Sequence, residues 1–113
     1  MIKVNFSKKG DRLTCEVTGH AGFDDIGKDL VCASASMLAY TLAQAVMDMG
    51  KVGYLSEPPY INIDKGEGKI VCRANGEDNF SIALHTFLVI ETGYKLLAHN
   101  YPQYIKLSMF GEA

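Results

Sequence analysis

Residues 2–17 carry the tightest constraint in this sequence. Ile2, Val4 and Phe6 alternate with polar neighbours, Lys9-Gly10-Asp11 breaks the run, and Leu13, Cys15 and Val17 resume the alternation. A period of two puts these apolar side chains on one face of an extended chain. Two such runs joined by a short glycine-bearing break predict a hairpin with one oily face, which the rest of the chain must cover. After a loop at 19–29 rich in glycine and aspartate, the period changes. Leu30, Ala33, Met37, Tyr40, Ala45 and Met49 fall near helical spacing, with Gly50 as a stop. This helix is apolar around much of its circumference, so more than one of its faces is expected to be covered, dimer contact being one way.

Beyond Pro58-Pro59, Tyr60, Ile61 and Ile63 start a third strand, Lys65-Gly66-Glu67-Gly68 turns, and Ile70, Val71 and Cys72 form a fourth. A second helix is expected from Asp78 or Asn79, either of which can cap it. Its apolar stripe is Phe80, Leu84, Phe87, Leu88 and Tyr94, and it ends near Ala98. After Pro102, Tyr104, Ile105, Leu107 and Met109 read as a last strand. The order β-β-α-β-β-α-β predicts an α+β fold with an antiparallel or mixed sheet and two helices packed on one face. The 113 residues fit a single domain, 1–113.

Charge and composition narrow the function. The net charge is -2 and Lys8-Lys9 is the only adjacent basic pair, so a direct nucleic-acid partner is not expected. The N-terminus shows no basic stretch followed by an apolar run, so a secretory signal is not expected. No apolar stretch approaches the roughly 20 residues that span a bilayer, so no membrane partner is expected either. Three cysteines in separate segments do not form a disulfide framework. A reducing cytoplasm is the expected location.

The segment from Thr18 to Ser36 holds the chemistry. A thiol attacks a carbonyl as thiolate, and free cysteine, with a pKa of about 8.5, is mostly protonated at neutral pH. With Asp29 as N-cap, Cys32 becomes the third residue of the helix, where the positive end of the helix dipole favours a thiolate. His20, returned by the loop, is a candidate base and then the acid for a leaving amine. Asp29 has two readings, helix cap or a carboxylate that orients His20. Ser36 lies one turn after Cys32; it donates to the sulfur or the substrate, or it bonds back to the Cys32 carbonyl, which spacing alone favours. Cys32 itself reads either as nucleophile or as a packed core thiol. A metal held by His20, Cys32 and Asp24, Asp25 or Asp29 lacks the paired spacing typical of zinc, so no cofactor is called for. Phe23, Met37 and Tyr40 are candidate liners of a substrate groove. Cys15 and Cys72 sit in strand patterns and read as core. His85 and His99 have no evident nucleophile partner.

Gly19-His20-Ala21, the Gly/Asp loop, Asp29-Leu30-Val31-Cys32-Ala33 and Ser36 together resemble the signature of the ribosomal-processing cysteine protease family, Prp. The resemblance extends to chain length and element order; Leu30 stands where many members have isoleucine. It implies a homodimeric bacterial endopeptidase that removes an N-terminal extension from the precursor of large-subunit ribosomal protein twenty-seven. The segment cut away carries two phenylalanines followed by alanine. By the same resemblance His20 and Cys32 are the catalytic pair, and Asp29 and Ser36 support them.

Overall fold

Alternation in the strands resolves into one apolar and one wet sheet face. The computed structural model describes residues 1–19 and 26–112. Among the described residues the elements are β1 (Ile2–Lys9), β2 (Arg12–Thr18), α1 (Ile26–Lys51), β3 (Tyr60–Asp64), β4 (Glu67–Arg73), α2 (Glu77–Asn100) and β5 (Ile105–Ser108). The strands form one sheet in the order β3-β4-β2-β1-β5. Its neighbours are antiparallel, except that β5 runs parallel to β1. The expected α+β order with a mixed sheet is therefore the observed one.

The register pairs Phe6 with Cys15 and Cys15 with Ile70, which sets Val4, Phe6, Leu13, Cys15, Val17, Ile70 and Cys72 on one buried face. Both helices pack there, α1 over β3 and β4, α2 over β2 and β5. Phe6, Phe87, Tyr94 and Phe110 meet with ring centroids 5.4–6.5 Å apart, close enough for tilted and edge-on contacts. Each fully buried ring of this kind contributes about 1.5–3 kcal/mol by leaving water.

The two helices approach closely because Gly93 on α2 has no side chain: a Cβ there would come within 2.6 Å of Leu38 Cδ2 on α1. Beside it Tyr94 is fully buried, and its hydroxyl donates to the Ala35 carbonyl of α1 at 2.9 Å. Burial holds the Tyr94 phenol well above its ordinary value of 10.0.

Several expected details differ. The buried row of α1 is Val31, Ala35, Ala39, Leu42, Ala43, Val46 and Met49, while Leu30, Ala33, Met37 and Tyr40 face outward. A helix apolar on nearly every side offers no contrast from which periodicity can select the inner face. By length and composition Asp29–Lys51 is apolar enough to cross a bilayer, contrary to the sequence reading, yet its inner row is spent on the sheet and α2. The helix also starts at Ile26, a turn before Leu30. On α2 the N-cap is Gly76, with no side-chain cap bond, in place of Asp78 or Asn79. Asn79 Nδ2 instead donates to the Asn75 carbonyl at 2.7 Å. The β3–β4 turn shrinks to Lys65-Gly66, with φ of 55° and 79°, the double left-handed geometry of a two-residue hairpin, and Glu67-Gly68 join β4.

Tyr94→Phe keeps the ring packing and removes only the hydroxyl. It should lower unfolding free energy by about 1 kcal/mol in urea titration, whereas Tyr94→Ala should cost about 3–5 kcal/mol.

Candidate active site

The ladder between β2 and β4 ends at the pair Val17–Gly68, and the residues just past that end build the site. The Gly19 N–H donates to Glu67 Oε1 at 2.7 Å. Gly19 has φ 83°, and a Cβ there would run into the Met1 carbonyl oxygen, so conformation and space both demand glycine. On the other side of Glu67, Gly66 lies against α1. A Cβ on it would strike Ser36 Oγ and come within 2.6 Å of Ser36 Cβ. The Gly66 N–H donates to the Tyr40 hydroxyl at 3.3 Å.

Cys32, Ser36 and Tyr40 follow one another at four-residue steps and form a single row on α1. Cys32 is half-buried at one end of that row. Ser36 turns its hydroxyl toward Gly66, and no bond from it to the Cys32 carbonyl occurs among the described residues, so the back-bond favoured by spacing is not the one formed. Thr41, Thr86 and Thr92 do make that kind of bond, each to the carbonyl four residues earlier. Met37 sits elsewhere. At 100° per residue it points about 140° away from Cys32. There it lines a groove of about 560 Å³ between α1 and α2 with Ala33, Leu38, Leu96 and Tyr101.

Asp29 lies within the first turn of α1 and is exposed; it is not the N-cap, because the helix begins three residues before it. Cys32 is six residues in from Ile26, beyond the first turn to which the helix dipole is confined. His20 and Phe23 lie outside the described residues, as do Asp24 and Asp25.

Sequence reasoning missed Glu67, which read as one residue of a turn. The only local signal was the flanking pair Gly66 and Gly68, since a glycine-bearing turn can seat closely on another element. A depression of about 460 Å³ lined by Arg12, Tyr60, Lys69 and Arg73 lies on the sheet face away from the helices. Arg73 there is engaged by Asp11 at 3.0 Å and Glu57 at 3.7 Å, and the lining holds no residue of α1.

Burial removes the other two thiols from chemistry at neutral pH. The Cys15 thiol is pushed from 9.0 up to about 12, by burial first and then by the charges of Glu16 and Glu91. Burial alone pushes Cys72 up to about 11. Iodoacetamide at pH near 6.5 should therefore label Cys32 well ahead of both, read by peptide mass mapping. Both folded values lie above the unfolded 9.0, so the stability tied to these thiols is fully present below pH 9.0 and lost as pH rises through about 11 and 12. Melting temperature should be flat approaching pH 9.0 from below and should fall above it; Cys15→Ala should weaken that fall.

The model of the family described as cysteine protease Prp matches residues 1–106. The ribosomal processing cysteine protease Prp of Staphylococcus aureus strain Mu50 is 27% identical over 109 residues, 95% of each chain. A crystal structure of a Streptococcus mutans protein superposes with a TM-score of 0.64 at 25% identity, covering 97% of this chain and 95% of its own. The crystal structure of the S. aureus ribosomal processing protease Prp in complex with a substrate peptide superposes at 0.60 with 23% identity, covering 97% and 99%. That last likeness bears on the fold alone. With the family model spanning nearly the whole sequence, this chain belongs to the cysteine protease Prp family and is a hydrolase.

Proposed function

We propose that this Prp-family member is an endopeptidase that works through a His20–Cys32 dyad and removes the N-terminal extension from the precursor of large-subunit ribosomal protein twenty-seven. One observation carries the dyad. The chain neighbour of His20 and the helical neighbour of Cys32 meet at the same turn, because Gly19 is held by Glu67 while Gly66 rests on Ser36. The ribosomal substrate rests on the curated relative, a ribosomal processing cysteine protease.

In this reading Cys32 Sγ attacks the scissile carbonyl as its proton passes to the His20 imidazole. The tetrahedral adduct collapses, the C–N bond breaks, and His20 returns the proton to the leaving amine. Water then adds to the thioester, losing a proton to His20, and Cys32 is released as a thiol. Because Cys32 lies past the first turn, activation falls to the base and not to the helix dipole. Ser36, one turn along the same row, donates to the sulfur or to the substrate oxygen. Asp29, three residues before Cys32 on α1, is the carboxylate assigned in this reading to orienting His20. Phe23 and Tyr40 are the residues assigned in this reading to contact apolar substrate side chains. Ribosome maturation sets the site of action in the cytoplasm.

Met37 serves a different surface. It is 68% exposed, with Val89 at 56% and Leu96 at 61%, and together they make the outer faces of α1 and α2 apolar. A second copy of the chain covers this face in a homodimer. Leu96→Glu should shift the protein toward monomer in light scattering.

Incubation with the unprocessed ribosomal protein, followed by mass, tests the activity. A single cut is expected, abolished by Cys32→Ala and by Cys32→Ser, and slowed by about 100-fold or more in His20→Ala. Cleavage at the parental rate by Cys32→Ala would sink the mechanism.

A further inference from the structure

We infer that Glu67 is a positioning residue for the reaction: its carboxylate anchors Gly19, the residue that precedes His20 in the chain. The inference rests on the dyad proposed above. Backbone pairing between β2 and β4 stops at Val17–Gly68. One link further on, the Glu67 side chain takes over from the backbone and accepts the Gly19 N–H at 2.7 Å. A bond this short to a carboxylate is charge-assisted and directional. Gly19 is confined from another side by the Met1 carbonyl and held at φ 83°. The residue bonded to it in the chain is His20.

The neighbour of Glu67 makes the second half of the bridge. Gly66 is buried against Ser36, one helical turn from Cys32, and its N–H is held by the Tyr40 hydroxyl at 3.3 Å. Two consecutive residues thus contact the chain neighbour of His20 and the helical neighbour of Cys32. The backbone of Gly66 contacts the row that carries Cys32, and the side chain of Glu67 holds the strand end that carries His20. A general base must sit within hydrogen-bond reach of the thiol. Loosening its root affects the rate of the bond-making step more than substrate binding.

The test compares Glu67→Ala with Glu67→Gln, whose amide oxygen still accepts the Gly19 N–H. Glu67→Ala should lower kcat about 10- to 100-fold, the scale of a misplacement near 1 Å, with KM within about twofold. It should slow Cys32 alkylation at pH 6.5 in the same direction as His20→Ala, and raise hydrogen exchange at the Gly19 amide about tenfold or more, the loss of one such bond. Glu67→Gln should recover most of all three. Parental kcat in Glu67→Ala would overturn the inference, as would an equal loss in Glu67→Gln or an unchanged Gly19 exchange rate. Failure of the dyad would read differently: Cys32→Ala or His20→Ala would then cleave normally, while Gly19 exchange still reported whether Glu67 is the anchor.

Discussion

The bond from the Tyr94 hydroxyl to the Ala35 carbonyl is the point on which the rest of this structure depends. Ala35 falls between Cys32 and Ser36, so the helix carrying the candidate nucleophile is pinned at the segment where its position matters. The bond is possible because Gly93, one residue before Tyr94, lets α2 come close to Leu38. The Tyr94 ring in turn leans on Phe6 of β1, with centroids 5.9 Å apart, which ties both helices to the middle of the sheet. A buried phenol needs a partner for its hydroxyl, and the carbonyl of a neighbouring helix supplies it without opening that helix.

From this anchor the site is assembled from two sides. α1 is fixed from one side by α2, and at Ser36 and Tyr40 by the β3–β4 turn. The end of β2 is fixed by Met1 and by Glu67. Neither side is made from residues close together in the chain: Gly19 and Glu67 are 48 positions apart, and Tyr40 and Gly66 are 26 apart.

Those separations explain what could be read in advance. The hairpin faces and the element order were legible, because Ile2, Val4, Phe6, Leu13, Cys15 and Val17 each obey a period that local geometry imposes. The stripe of α2 was legible for the same reason, with Phe87 and Tyr94 deep in the core. α1 was less so: alanines and methionines surround it, and Leu30, Met37 and Tyr40 competed with Val31, Ala35 and Leu42 for the inner face. Helix starts failed because a candidate cap such as Asp29 or Asp78 is as good in the first turn as before it, where its charge also meets the positive end of the dipole. The candidate site was legible as a motif around Cys32, but the contacts of Gly66 and Glu67 came from folding and not from spacing.

The three thiols divide sharply in their surroundings. Cys15 and Cys72 are sealed under the helices, while Cys32 reaches solvent in part. Oxidants follow access, so of the three thiols Cys32 is the one that peroxide reaches first, and oxidation there climbs toward sulfenic and then irreversible sulfinic acid. The sulfur proposed as the nucleophile is thus also the first of the three open to oxidation, and its oxidation should leave the fold nearly intact.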